Sequence, residues 1–178
     1  MTTALALYGA VCSTLAVFLV LRSARPNDAE HGFGPPDTGP PLGALMTSRA
    51  AVDVLGRPIV VAEGDEQVLA FFSTTCHGCL SRLPRFIAGL EASGLSGDAD
   101  VAVLVGPPAA AEKTLTEALT GVVQLVREKD RAPIANAFNV QLFPSFVKLE
   151  KGVVVAKGLS AADVLPAGRA ADLGTNQS

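Results

Sequence analysis

The sequence predicts an α/β fold in which helices flank a mixed β-sheet, with a transmembrane helix at the N-terminus. Apolar runs typical of strands alternate with helix-like segments between residues 68 and 138, which is the pattern of a largely parallel sheet. Two further β-type runs around a short glycine-containing turn predict a closing antiparallel hairpin. Residues 4–21 form an uncharged apolar run, which predicts the transmembrane helix.

Composition varies strongly along the chain. The 178 residues carry a net charge of −3, and the chain contains 3 Cys and no Trp. We do not expect nucleic acid as a partner, because its binding calls for a basic patch with aromatic stacking groups. The chain divides into a transmembrane anchor (residues 1–22), a Pro/Gly-rich linker (23–51), a folded domain (52–160) and a short polar tail (161–178).

The anchor prediction depends on the length and the flanks of the apolar run. Its 18 residues, 4–21, lie within the roughly 17–25 that cross a bilayer as a helix. A cleaved signal peptide is the competing interpretation, but the first three residues carry no charged side chain. We therefore expect a single-pass membrane protein. Arg22 and Arg25 favour a cytoplasmic domain, yet this charge bias is small, so the residues alone leave the orientation open.

The linker is defined by its prolines and glycines. Pro26, Pro35, Pro36, Pro40 and Pro41 lie within it, together with several glycines. Such a composition favours extended, solvated backbone. We interpret it as a tether between membrane and domain, in which residues 42–46 are the candidates for docking on the domain.

Each element of the domain follows from a local pattern. A short strand and a turn are predicted within 52–58, and a second short strand at 59–62, before an apolar strand at 68–72. Apolar residues at helical spacing from Leu80 to Leu90 predict a helix over 80–92. The later elements, bounded by Gly and Pro, are a strand at 100–105, a helix at 109–119, a strand at 122–126, a short helix at 134–138 and hairpin strands at 145–149 and 153–156.

Cys76 and Cys79 lie where the apolar strand ends and the helix begins. At this spacing the two side chains share one face of the helix, and their Cα atoms can reach the roughly 4.4–6.8 Å that a disulfide requires. A thiol at a helix N-terminus is favoured as the thiolate by unpaired N–H groups and the helix dipole. Cys76 is therefore the predicted attacking nucleophile, and Cys79 is the predicted resolving thiol.

His77 and Gly78, between the two cysteines, are predicted to tune the redox chemistry. A protonated His77 would stabilise a Cys76 thiolate, and Gly78 keeps the turn small enough for another protein to approach. Zinc is the alternative, but a structural zinc site needs four ligands. Only Cys12 and His31 remain to complete one, and both lie far upstream. We expect electrons to pass between sulfur atoms, with no metal and no cofactor.

Two prolines add to the pattern. Pro84 lies five residues after Cys79, inside the helical stripe, and an interior proline kinks a helix. A helix that begins at Pro84 is the alternative, but the stripe starts earlier and so favours a kinked helix. Pro144 stands directly before a strand, although the local sequence alone does not predict a cis bond there.

Together, the strand–Cys-x-x-Cys–helix pattern, Pro84 and the Phe143-Pro144 pair before a hairpin resemble the thioredoxin superfamily over about residues 52–158. The resemblance implies a thioredoxin-like fold with a cis Pro144 opposite the Cys pair. It also implies a substrate groove formed by Thr75, Phe143 and Pro144, in which the Phe143 backbone binds an extended client polypeptide.

The extra strand–helix unit between the Cys pair and Pro144 is similar to the membrane-anchored TlpA-type branch of this superfamily. Within that branch, the anchor, the tether and residues 41–46 resemble the MauD-like members. This likeness implies an extracytoplasmic domain, against the bias of the two arginines. One departure is Ala70, where thioredoxins carry a buried Asp that assists proton transfer from the second thiol.

The leading functional hypothesis is a membrane-tethered thiol–disulfide oxidoreductase. It would exchange disulfides with client proteins and be recycled by a second redox partner. The alternative is a non-enzymatic thioredoxin-like binding or assembly module with a structural disulfide. The reduction potential separates the two, because structural disulfides lie below about −300 mV.

Overall fold

The computed structural model describes residues 38–94, 99–129 and 132–165. The predicted anchor, most of the linker and most of the tail lie outside these residues. Among the helices that are described, none is long and apolar enough to cross a bilayer. The described elements are β1 Arg49–Val52, β2 Pro58–Val61, β3 Glu66–Ser73, α1 His77–Ser93, β4 Val101–Val105, α2 Ala110–Leu119, β5 Gln124–Glu128, α3 Pro133–Ala137, β6 Ser145–Glu150, β7 Val153–Gly158 and a 3-10 helix at Ala161–Asp163.

Five of the strands form one mixed sheet in the order β5-β4-β3-β6-β7. β3, β4 and β5 run parallel, whereas β6 is antiparallel to β3 and β7 is antiparallel to β6. β3 lies at the centre and is buried from Gln67 to Ser73, which explains why its sequence is continuously apolar rather than alternating. The predicted α/β fold with a mixed sheet is confirmed.

Helices cover both faces of this sheet. On one face, Phe72 of β3 packs in a cluster with Phe86 of α1 and Leu115 of α2. On the other face, Phe71 packs in a second cluster with Ile134 of α3 and Val61 of β2. Successive side chains of a strand point to opposite faces, so β3 contributes to both clusters. Cys79 belongs to the first cluster, on the side of α1 and α2.

α1 runs through Pro84 as one helix, which the apolar stripe predicted, and the kink expected at Pro84 stays a prediction. It begins at His77, so the alternative of a helix that starts at Pro84 is wrong. Cys79, Leu83 and Phe86 are among its buried residues, and Pro84 itself is exposed. The helix ends at Ser93, after which Gly94 adopts the left-handed conformation with φ 69°.

The strand after α2 begins two residues later than predicted, at Gln124. The difference has a local cause, because the N–H groups of Val122 and Val123 both donate to the carbonyl oxygen of Leu119 at 3.1 and 3.2 Å. A turn therefore occupies the apolar residues that the sequence pattern assigned to the start of the strand. The other predicted elements of the sheet and its helices lie within a few residues of their observed positions.

The folded region begins before residue 52, the boundary predicted from composition. The Gly43 and Met46 N–H groups donate to the carbonyl oxygens of Val154 and Gly152, both at 2.8 Å, and the Val154 N–H donates to Ala44 O at 2.9 Å. Residues 43–46 thus dock on the edge of β7. β1, which composition placed in the linker, pairs antiparallel with β2. Main-chain pairing of this kind leaves no mark on local composition.

The first residues of the predicted polar tail also belong to the core. Ala161, Val164 and Leu165 are buried in the cluster that contains Cys79. Leu165 packs so closely on α1 that a Cβ added at Gly89 would lie 2.8 Å from its Cδ1. The domain therefore extends at least to Leu165, and the start of the tail closes the face of the sheet that carries α1.

Candidate active site

The Cys pair is held by the turn between β3 and α1. Cys76 is the residue before the first turn of α1, with an extended backbone at φ −94° and ψ 110°. Its N–H donates to Ser73 O at 3.2 Å, and the Cys79 N–H donates to Cys76 O at 3.1 Å. No disulfide joins the two thiols in this structure. Cys76 is half-buried, whereas Cys79 is 0% exposed, so the two sulfur atoms differ in access.

Burial also controls the protonation of Cys79. Burial, a hydrogen bond with the Cys76 side chain and the charge of Cys76 all raise the pKa of Cys79, to about 12. Two influences favour its thiolate: the Ser73 N–H, which donates to its Sγ at 3.4 Å, and, more weakly, the Arg82 charge. Cys79 is therefore a neutral thiol near pH 7. A neutral thiol is expected of the resolving cysteine, which reacts only after Cys76 has formed a disulfide.

The loop before β6 faces Cys76. The Phe143–Pro144 peptide bond is cis. The Cys76 thiol donates to Phe143 O at 3.3 Å, which joins residues 67 positions apart in the chain. The Ser145 hydroxyl donates to Leu142 O at 2.6 Å and so fixes the turn on either side of the cis bond. The structure thus brings Phe143 and Pro144 to the Cys pair, as the resemblance implied.

The remaining predicted site residues surround Cys76 at the surface. Thr75 and His77 are exposed, and the Thr75 hydroxyl lies 3.1 Å from that of Ser73. Gly78 is exposed too, and a Cβ added there would lie 3.8 Å from Cys76 Sγ, at ordinary contact distance. A side chain at Gly78 would therefore cover part of the sulfur. The substrate-binding and redox-tuning roles assigned to these residues stay predictions.

Sequence reasoning missed three supports of this site. Thr74 is buried, and its hydroxyl donates to Pro107 O at 2.7 Å, which ties the Cys turn to the end of β4. Gly106, at φ 115°, leaves space for the Thr74 side chain, because a Cβ at position 106 would lie 2.7 Å from Thr74 Oγ1. Arg82, on α1, donates from Nη1 to Leu159 O at 2.6 Å. Only the Gly106-Pro107 pair left a signal in the sequence, and it indicated no more than a turn.

The surroundings of the two thiols bear on proton transfer and on metal binding. Ala70, where thioredoxins carry an Asp, is fully buried in the same cluster as Cys79. In the part of the chain that the structure describes, no three or more His, Cys, Asp or Glu side chains lie together as a metal site would require. The arrangement is suited to attack by one sulfur on a disulfide, followed by closure of a second sulfur onto the first.

The fold and the dithiol together define a protein of thioredoxin-like architecture with a Cys-x-x-Cys pair at the start of α1. Solved structures of that fold are similar to this chain. The thioredoxin domain of a thiol–disulfide oxidoreductase from Bacteroides vulgatus has a TM-score of 0.57 and 18% sequence identity, over 70% of this chain and 92% of that one. A thiol:disulfide interchange protein from Bacteroides sp. has a TM-score of 0.55 and 17% identity, over 69% and 84%.

A third similar structure is a secreted disulfide oxidoreductase of Mycobacterium tuberculosis, with a TM-score of 0.51 and 17% identity over 66% of this chain and 87% of that one. No protein-family model matches the sequence, and no curated protein matches it either. At these identities the likeness shows the fold, and the predicted thioredoxin-like architecture is confirmed. The activity has to be argued from the site.

Proposed function

We propose that this chain is a membrane-tethered thiol–disulfide oxidoreductase that exchanges disulfides with client proteins through Cys76 and Cys79. The observation that carries the proposal is the unequal burial of the two free thiols at the start of α1, beside the cis Phe143–Pro144 bond. One sulfur is accessible to a large substrate, and the other is accessible only to its neighbour. The names of the similar structures, which are oxidoreductases or interchange proteins, support the same reading.

The exchange takes place in two steps. The Cys76 thiolate attacks one sulfur of a client disulfide, so that a Cys76–client disulfide forms and the other client sulfur leaves as a thiolate. Cys79 then loses its proton to solvent or to the departing sulfur and attacks Cys76. The Cys76–Cys79 bond forms, and the second client sulfur leaves. The client disulfide is reduced, the protein dithiol is oxidised, and each step is reversible.

The loop at Phe143 provides a binding edge for the client. When Cys76 is a thiol it donates to Phe143 O, but a thiolate has no proton to donate. Ionisation of Cys76 therefore frees this carbonyl oxygen for a client N–H at the moment when the sulfur becomes reactive. Thr75 and Pro144 flank the same opening, and we assign all three residues to the client groove.

The membrane tether and the protein's subtype form the finer part of the proposal. The apolar run of residues 4–21 and the Pro-rich tether support a single-pass anchor of the TlpA type, with a MauD-like layout. We place the domain on the extracytoplasmic side, where a second redox partner recycles the dithiol. A reporter fused after Ser178 tests this: activity restricted to the extracytoplasmic side is expected, and activity restricted to the cytoplasm contradicts it.

Trapping the mixed disulfide tests the exchange itself. The full chain carrying Cys12→Ser and Cys79→Ser, incubated with a peptide disulfide, should accumulate a Cys76–peptide adduct that intact-mass spectrometry detects and dithiothreitol releases. The matched control carries Cys12→Ser and Cys76→Ser, and it should form far less adduct because Cys79 is buried. Absence of an adduct in the first variant would refute exchange through Cys76.

A reduction potential separates exchange from the alternative of a binding module. Equilibration of the Cys12→Ser chain against glutathione buffers should give a potential above about −300 mV, the range of catalytic disulfides. A value below about −300 mV would indicate a structural disulfide and a protein that binds partners without exchanging electrons.

A further inference from the structure

Cys79 has to lose its proton before it can attack, and the predicted mechanism names no residue that favours this ionisation. Cys79 is 0% exposed and surrounded by the apolar cluster of β3, α1 and α2, with Ala70 in place of an acid. Only the thiolate attacks a disulfide, so a thiol that holds its proton tightly resolves slowly. Some feature of the structure must favour the charged sulfur during the second step.

Arg82 is placed to do so. It follows Cys79 by three residues on α1, so the two side chains are neighbours along the helix. Its Nη1 donates to Leu159 O at 2.6 Å, and Leu159 directly follows β7. This hydrogen bond, across 77 residues of sequence, holds an otherwise exposed guanidinium against the domain. A fixed cation one turn beyond the buried sulfur stabilises its negative charge.

The other influences on Cys79 change when the client binds. In the dithiol, Cys76 raises the pKa of Cys79 through a hydrogen bond between the side chains and through its charge. A Cys76 sulfur in a disulfide with the client carries no charge and no proton, so both effects disappear. The Ser73 N–H and the Arg82 charge remain, and both favour the thiolate. The protonation equilibrium of Cys79 thus shifts towards the thiolate once the mixed disulfide has formed.

We propose that Arg82 is a positioning residue for the second step, whose anchored positive charge favours the ionised Cys79 sulfur and so speeds its attack on the mixed disulfide. This inference rests on the proposed exchange function. Arg82 acts on the same thiol as the buried acid of thioredoxins, but by its charge alone, because a guanidinium accepts no proton.

Among the described residues, the other charged side chains near this region are engaged or directed to solvent. On α1, His77 and Arg85 are exposed. Asp163, in the 3-10 helix packed against α1, accepts the Ser160 N–H at 2.9 Å. On α2, Glu112 accepts from Arg127 at 2.7 Å. The apolar side chains that β3 and β6 contribute to the cluster around Cys79 are Val68, Ala70, Phe72 and Phe146.

A chromogenic disulfide separates the two steps in one experiment. The reduced full chain carrying Cys12→Ser is mixed with 5,5′-dithiobis(2-nitrobenzoate) in a stopped-flow instrument at low ionic strength, where screening is weak. Attack by Cys76 releases the first thionitrobenzoate and leaves a mixed disulfide. Attack by Cys79 forms the Cys76–Cys79 bond, releases the second thionitrobenzoate and yields one proton. Two protein thiols are oxidised and one reagent disulfide is reduced.

Arg82→Gln should slow the second phase selectively. An exposed charge alters a neighbouring equilibrium by about two- to fivefold. Because a more basic thiolate is also more nucleophilic, the net slowing at pH 7.5 is about twofold. The rise of the second-phase rate with pH should move to higher pH, and the difference from the parent chain should shrink at 1 M salt. A purely structural role for Arg82 would produce neither the pH displacement nor the salt dependence.

Two further variants keep the test decisive. Arg85→Gln removes an equal charge one turn further along α1 and should leave the second phase unchanged. Arg82→Lys keeps the charge and should recover most of the rate. Equal slowing in Arg82→Gln and Arg85→Gln, or equal rates in Arg82→Lys and Arg82→Gln, would overturn the assignment. Loss of the first phase in the parent chain would instead refute the exchange function, so the two failures are distinct.

Discussion

Opposite edges of the central sheet each bury a titratable group whose pKa is raised, Cys79 at one and Asp100 at the other. At the carboxyl end of β3, Cys79 is fully buried, and its pKa is raised to about 12, first of all by burial. Just before β4, at the opposite edge, Asp100 is 1% exposed, and burial raises its pKa to about 6. Near pH 7 the thiol is neutral and the carboxyl is charged.

The same physical effect therefore has opposite consequences. Neutral Cys79 avoids the cost of a buried charge, and its proton is removed only when the chemistry requires it. Asp100 keeps its charge with Oδ1 accepting the Val68 N–H at 2.8 Å, while its Oδ2 has no hydrogen-bond partner among the described residues. At one edge the buried thiol stays protonated until it has to react, and at the other the buried carboxylate lowers the stability of the fold once it is charged.

The largest expected effect breaks the packing beneath the reactive edge. Phe86→Ala removes a fully buried ring that packs against Phe72 and Phe146 at centroid distances of 5.6 and 5.4 Å. It should lower the free energy of unfolding in urea by about 3–5 kcal/mol. It should also speed alkylation of Cys79, because the cavity opens the cluster that covers this sulfur.

Phe138→Ala is the matched control for that change. Phe138 is equally buried but packs on Phe71 in the other cluster. A similar loss of stability is expected, without faster alkylation of Cys79 under conditions where the domain stays folded. Equal acceleration of Cys79 alkylation in both variants would show that the two clusters do not protect the thiol separately.

The next effect concerns the opposite edge. The pKa of Asp100 is higher in the folded state than its ordinary value of 3.8, so between about pH 4 and pH 6 the unfolded chain releases this proton before the folded chain does. Stability should fall as pH rises through that window, by up to about 3 kcal/mol, and the loss should persist above it. Asp100→Asn should remove this part of the pH dependence, as measured by urea unfolding at pH 4, 5, 6 and 8. A variant that keeps the parent slope would locate the effect elsewhere.

A smaller loss of stability is expected from a change beside the Cys turn. Gly106→Ala places a Cβ 2.7 Å from Thr74 Oγ1 at φ 115°, beside the Cys turn. A loss of about 1–3 kcal/mol is expected from backbone strain and this contact. Gly121→Ala is the control, since Gly121 has φ 85° and nothing within 4 Å of an added Cβ. Gly106→Ala should therefore cost more stability and alone alter Cys76 reactivity; equal behaviour in thermal unfolding and alkylation would contradict the support assigned to Thr74.

Local sequence patterns predicted most of the helices and strands, and what they failed to predict has a physical reason. The apolar run of β3 and the stripe of α1 are local, so both elements and the Cys pair between them were found. The contact of Cys76 with Phe143 spans 67 residues and came only from the resemblance. The anchoring of Arg82 could not be predicted, because its partner is a backbone carbonyl that no sequence pattern displays.

The burial of polar side chains was also not predicted from the sequence. The sequence placed Asp100 at the start of a strand without any sign that its carboxylate would be enclosed. Glu128 is also buried, and its carboxylate accepts the N–H groups of Ile134 and Ala135 at 2.7 and 3.2 Å. Both arrangements depend on how distant segments meet, which side-chain periodicity does not record.

The most direct measurement compares the reactivity of the two thiols in the folded chain. The reduced full chain is treated with iodoacetamide at pH 7.5, and fragment-ion mass spectrometry follows the modification of Cys76 and Cys79 separately over time. Because Cys76 is half-buried, whereas Cys79 is 0% exposed and holds its proton, Cys76 should react faster than Cys79 by on the order of a hundredfold or more. Equal rates for the two cysteines in the folded protein would contradict the division between attacking and resolving thiols.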